Sequence, residues 1–232
     1  MRIATLLGLL LTLTVAAPAH AATRRAFFKV EVKGVQTTSW SIDRTTPGPC
    51  GGHAQGSGSE RMTFKTARPV RTTVSLSQGL LTFTFGRSTS LTAQGVANRQ
   101  GSTSNTPNPG ECAGGGTGGG PAQPTPDCGR RSGPIDLEIA KSYRRRDWIV
   151  LTNGPLSPLT IYKHCPIGGA AWPDVIETDT AGRPIEAPMP VRDLFNPALR
   201  KHLTIGRGSQ SVNASGQKAT TSVRWEITFT RI

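Results

Sequence analysis

The sequence predicts an all-β protein, an antiparallel sandwich with Greek-key-like connections. Three observations carry that reading. Apolar and polar residues alternate with a period of two in at least four segments, and turn signals recur about every 8 to 12 residues. No amphipathic helical pattern of useful length occurs in the first hundred residues. About nine or ten strands and at most one or two short helices are expected, in a chain of 232 residues.

The N-terminus is read separately. Met1-Arg2 is a short positive segment, Ile3 to Val15 is apolar, and Pro18-Ala19-His20-Ala21 ends in a small-x-small pattern. Together they read as a secretory signal covering residues 1–21, with an apolar core short of the roughly 20 residues a spanning helix needs. Residues 22–232 are then expected to form one exported, extracellular domain with no membrane span after signal cleavage.

Strands follow in order. Phe28, Val30 and Val32 alternate with Lys29, Glu31 and Lys33 before Gly34 breaks the run, and Thr37 to Ile42 reads as a second strand. Thr45 to Ser59 is turn chemistry around Pro47-Gly48-Pro49 and Gly51-Gly52. Met62 and Phe64, then Val70, Val74 and Leu76, then Leu81, Phe83 and Phe85 after Gln78-Gly79 mark three further strands, and Leu91 to Arg99 is a weaker one. Residues 101–134 are so rich in Gly, Pro, Ser and Thr that they read as a loop insertion. Ile135, Leu137 and Ile139 restart the pattern, and Trp148 to Thr152 reads as a buried strand. Pro190 to His202 holds the one short helix candidate, limited by Pro197. Leu203 to Gly206 and Gln210 to Ser215 read as two short strands. The chain closes on Val223, Trp225, Ile227 and Phe229, its most regular alternation. Gln36 to Trp40 and Gln217 to Ser222 share a Thr/Ser-rich pattern, read as chance similarity ahead of neighbouring strands or an old duplication.

Four cysteines in an exported chain imply two disulfides. Cys112–Cys128 would clip the Gly/Pro loop across 15 intervening residues, worth around 3 kcal/mol by loop entropy, and Cys50–Cys165 would tie the two halves for about 4–5 kcal/mol. The competing pattern is Cys50–Cys112 with Cys128–Cys165.

The formal charge is +13, carried mainly by arginine. Such a surface is drawn to polyanions, and the expected partners are anionic cell-envelope polymers or an extracellular protein. Nucleic acid is not the expected partner, because most aromatics fall on inward strand positions instead of between the basic clusters. Arg144, Arg145 and Arg146 form the densest basic turn, and Trp172 in its Pro-flanked loop is read as a lid or a partner contact. Asp174, Glu177, Asp179 and Glu186 cluster without the spacing of a calcium loop, and the histidines are scattered, so no metal and no cofactor are expected. Gly114 to Gly119 fits G-x-G-x-x-G only through polyglycine composition. His53 beside Ser57 and Ser59 has the residue types of a hydrolase but no marked acid partner, so no catalytic residue is assigned. A non-enzymatic binding module is the leading expectation, with a secreted hydrolase or inhibitor acting through the His53 or His164 loops as the alternative.

With the Phe28 to Gly34 strand, the Trp40 strand, Asp127-Cys128-Gly129, Cys165-Pro166 and the closing Trp225 strand in view, the chain resembles exported β-rich proteins of actinobacteria. That resemblance implies an exported compartment and carries no assigned activity or site.

Overall fold

The structure, a computed structural model, describes residues 23–48, 51–107, 129–153, 185–214 and 216–232. It contains β1 (Arg24–Thr46), β2 (Gly52–Lys65), β3 (Val70–Ser77), β4 (Leu80–Thr84), β5 (Ser90–Pro107), β6 (Gly129–Lys141), β7 (Trp148–Asn153), β8 (Glu186–Pro188), α1 (Val191–Leu194), β9 (Lys201–Ala214) and β10 (Gln217–Arg231). Among the described residues, antiparallel strands with one four-residue helix make this an all-β protein, as the alternation requires.

All ten strands belong to one hydrogen-bonded sheet, and β1 is its junction. One edge of β1 pairs with β10 from Phe28↔Arg231 to Ile42↔Gln217. The other edge pairs first with β3, over Arg24 to Val30, and then with β2, over Lys33 to Thr46. The sheet therefore forks. A short branch runs β1-β3-β4, a long one runs β1-β2-β5-β6-β7-β8, and β10 carries β9 on its far side. β8 returns alongside β9, where the Thr204 hydroxyl donates to the Pro188 carbonyl at 2.7 Å.

Period-two alternation places the core. Phe28, Val30, Val32, Phe64, Leu137, Leu151, Trp225 and Phe229 are all 2% exposed or less and share the inward face. Phe28 and Phe229 meet edge to face, with ring centroids 5.9 Å apart, a geometry worth about 0.5–1.5 kcal/mol beyond the area it buries. The β3–β4 hairpin closes on Gln78-Gly79, both at positive φ (50° and 78°), as a two-residue loop of this twist requires. Two clusters on the short branch and α1 complete the top of the body: Lys141 donates to the Gly79 carbonyl at 3.0 Å, and Arg231 donates to the carbonyls of Leu194 and Asn196.

Several strands run through residues whose composition reads as loop. β1 passes Gly34 without a break, β1 and β2 extend into the Thr45 to Ser59 turn segment, β5 continues to Pro107, and β6 begins at Gly129. The two short strands expected after Leu203 are one strand, β9. Gln36 to Trp40 and the Thr/Ser-rich opening of β10 are paired neighbours: Thr37↔Ser222, Thr38↔Thr221 and Ser39↔Thr220. Glycine is tolerated inside these strands because an aromatic ring from the next strand covers it. In one inward row across six strands, Gly206, Trp225, Gly34, Phe64, Gly95 and Gly133 are register partners. The Trp225 ring fills the space a Cβ at Gly206 would need, and Phe64 does so at Gly34. The expected signal segment, Cys50, Cys112, Cys128, Cys165, Trp172 and the middle of the Gly/Pro loop lie outside the described residues.

Because the rings occupy the missing side chains' places, Gly34→Val and Gly206→Val are each expected to lower unfolding free energy by about 1–3 kcal/mol, with denaturant unfolding as the measure. An unchanged midpoint would show that the rings do not depend on these glycines.

Candidate functional site

Two surfaces gather functional side chains, one at each end of the long strands. The first is the turn between β6 and β7. Ser142 is buried there, and its hydroxyl accepts the backbone N–H groups of Arg144 and Arg145, each at 3.0 Å. The same hydroxyl donates to the Glu186 carboxylate from β8. Glu186 also binds Arg145 Nε at 3.3 Å, and the Arg145 guanidinium lies 4.2 Å from the Trp148 ring centroid. The turn is thus built on a fixed scaffold, while Tyr143 (83% exposed), Arg144 and Arg146 project outward. Arg24 stacks over Phe195 at 5.0 Å near the same end, and Arg231 stacks over Phe28 at 5.6 Å. Lys141, through Gly79, joins this end to the β3–β4 turn that neighbours Arg24. These basic residues come from β1, β6, β10 and the β6–β7 turn, which are distant in sequence.

The second surface is the outward face of the sheet's far half, where β10, β1, β2 and β5 lie side by side. Its register rows are Ser222–Thr37–Arg61–Asn98, Thr220–Ser39–Ser59–Gln100 and Lys218–Ser41–Ser57–Ser102. Every one of these side chains is a hydroxyl, an amide or a cation. The face is concave, with a hollow of about 440 Å³ over the first two rows and a larger one of about 940 Å³ toward the β1–β2 end. Hydroxyls pair across strands, Thr37 with Ser222 at 2.8 Å. Glu226 is held below the ordinary carboxylate range, chiefly by its hydrogen bond from Lys33 and further by Arg224, so its charge is spent on neighbours. Arg61 and Lys218 have no ion-pair partner among the described residues.

Beneath that face the inward side is unusually polar. Glu60 on β2 and Arg99 on β5 are direct cross-strand partners, 8% and 7% exposed at the side chain, and Glu60 Oε2 accepts from both Arg99 Nε (2.8 Å) and Nη2 (2.6 Å). Thr38 and Thr221 share a buried hydrogen bond of 2.9 Å in the same row. One row further on, the Trp40 ring lies against Gly58 and Gly101.

The structure joins some predicted residues and separates others. Arg144, Arg145 and Arg146 form the exposed turn expected of them. His53 lies on the outward face of β2, and its Nε2 meets Asp43 Oδ1 at 2.8 Å. Asp43 is the acid partner that composition did not mark; its signal is a diagonal cross-strand position, visible only once β1 and β2 are in register. Ser57 is on the same face of the strand but four residues on, about 13 Å away, and no hydroxyl bonds to His53 among the described residues. The pair is not assembled into a nucleophilic triad with Ser57 or Ser59. Of the acidic cluster, Glu186 is committed to Ser142 and Arg145, and Asp174, Glu177 and Asp179 lie outside the described residues. Compared with known proteins, the chain matches no family, no curated protein and no solved structure.

Removing one member of a buried ion pair takes away the charge that offsets much of the other's desolvation. Glu60→Ala should therefore cost about 3–5 kcal/mol of stability, while the paired replacement Glu60→Leu with Arg99→Met should recover most of it; denaturant titration of both variants measures this. Burial of His202 disfavours its charged form and lowers its pKa from 6.5, against a smaller opposing effect of Asp193. The unfolded chain then binds more protons than the folded one between that lowered value and 6.5, so stability should fall as pH drops through this window. His202→Gln should flatten the decline, as read by urea unfolding at neutral and mildly acidic pH.

Proposed function

We propose that this is an exported, non-enzymatic binding protein that holds an anionic polymer of the cell envelope through its basic end. The observation that carries the reading is the β6–β7 turn, where Tyr143, Arg144 and Arg146 face outward from a scaffold fixed by Ser142, Glu186 and the Arg145–Trp148 stack. Guanidinium groups bind phosphate or carboxylate through paired N–H donors. An exposed tyrosine beside them adds a flat face for a sugar ring or acyl edge. Fixing the turn in advance lowers the entropy lost on binding. The formal charge of +13 would draw the polymer from a distance and orient this end toward it. Export through residues 1–21 and two disulfides, with Cys112–Cys128 and Cys50–Cys165 as the preferred pairs, fit a protein working outside the cytoplasm.

The test is retention of the purified chain on isolated envelope polymer at moderate salt, with a neutral polysaccharide as the contrast. Binding should weaken steeply with added salt. The double variant Arg144→Ala with Arg146→Ala should bind roughly tenfold more weakly, about 1.4 kcal/mol. Equal retention of variant and parent, or no retention of the parent, would overturn the reading.

A further inference from the structure

We infer that the concave outward face of β10, β1, β2 and β5 is a second binding site, and that its ligand is an acidic glycan chain. The inference rests on the reading of an anionic polymer partner and deepens it, because it names the polymer as a polysaccharide in place of a polyphosphate or an anionic lipid surface.

Four observations support it. The first is shape: the hollow over Thr37, Ser39, Ser59, Arg61, Asn98 and Gln100 has a volume of about 440 Å³, and a larger one of about 940 Å³ lies further along the same strands at Ser41 and Gln55. With neighbouring strands about 4.8 Å apart and same-face residues about 6.7 Å apart, three rows across four strands span roughly 15 by 13 Å, room for a short run of sugar rings. The second is hydrogen-bonding chemistry. Hydroxyls and carboxamides both donate and accept, as sugar hydroxyls do, so a glycan can be matched donor to acceptor along the floor. A polyphosphate offers acceptors only and would leave the serine and amide acceptors unmatched. A bilayer surface would not enter a concave floor.

Charge is the third. Arg61 and Lys218 stand at different points of the face without ion-pair partners among the described residues, whereas the acids on this face are already bonded, Asp43 to His53 and Glu226 to Lys33 and Arg224. A chain carrying occasional carboxylates or sulfates would place them on those two cations, with hydroxyls between. The fourth is rigidity. Directly under the floor, the Glu60–Arg99 pair, the Thr38–Thr221 hydrogen bond and the Trp40 ring packed on Gly58 and Gly101 fix the four strands in register. The floor is therefore set before a ligand arrives, which is the condition under which many weak polar contacts sum to useful affinity.

The experiment uses the full mature chain and an oligomer of a uronic-acid polysaccharide, with inorganic polyphosphate and a neutral glucan oligomer as comparators. Binding is followed by calorimetry and by NMR shifts of the backbone amides. Arg61→Ala and Asn98→Ala alter exposed positions and should leave the unfolding midpoint in place. The uronate oligomer is expected to shift amides of Ser39, Ser59, Asn98 and Gln100, and each variant should weaken it roughly tenfold. Arg144→Ala with Arg146→Ala should leave those floor shifts intact while reducing retention on whole envelope polymer. If the uronate oligomer shifts only the β6–β7 turn, or binds no better than polyphosphate of similar charge, the second site is refuted while the basic-end reading stands. If whole envelope polymer also fails to bind, the proposed function falls with it.

Discussion

Everything in this fold depends on β1 being paired along both edges. It is 23 residues long, about 75 Å when extended, and it passes from the apolar body into the polar far half without interruption. One edge is given wholly to β10, while the other changes partner from β3 to β2 between Val30 and Lys33. At that change Thr66 takes over, receiving the Val32 N–H on its hydroxyl and donating its own N–H to the Val32 carbonyl. Among the described residues, the two branches of the sheet share no other strand. Register set on β1 is therefore passed to both, and a slip there would turn Phe28, Val30 and Val32 outward together.

Much of the fold was legible from alternation. The closing strand around Trp225, the opening strand around Phe28 and the Ile135 to Ile139 strand are half-buried, and half-burial writes a period of two into the sequence. The limits of the strands were not legible, because Gly, Ser and Thr were read by their local preference. Gly34 has a turn-former's propensity, yet Phe64 lies over it and keeps it in the sheet. Thr45 to Ser59 and Gly101 to Pro107 carry few large apolar residues; Ser57, Ser59 and Ser102 belong to the polar floor, and the Trp40 ring covers Gly58 and Gly101. Tertiary contacts overrode propensity at these places.

The same contrast applies to the sites. Arg144 to Arg146 is a run and can be seen in one line of sequence. Glu60 and Arg99 are 39 positions apart, Asp43 and His53 ten, and each pair exists only because of strand register. The floor rows are harder still, being assembled from single residues of four strands. What composition does give is the overall excess of arginine; what folding adds is placement, with Arg144 and Arg146 on a fixed turn at one end and Arg61 and Lys218 on the floor at the other. A long ligand could touch both, since the strands connect the two ends rigidly.

Among the described residues, the far half of the sheet has two borders that are paired on one side. Among the described residues, β5 beyond Gln100 and β9 beyond Ser209 have a strand on one side only. Unpaired edges recruit other chains, and many proteins guard them with lysine, proline or a bulge. Here β5 from Gln100 to Thr106 and β9 from Ser209 to Asn213 hold no charged residue and no proline. These stretches are mostly polar and offer little apolar surface to reward strand addition, a guard that depends on the hydration of their side chains. Conditions that strip water from the surface, such as concentrated sulfate, would expose that dependence first.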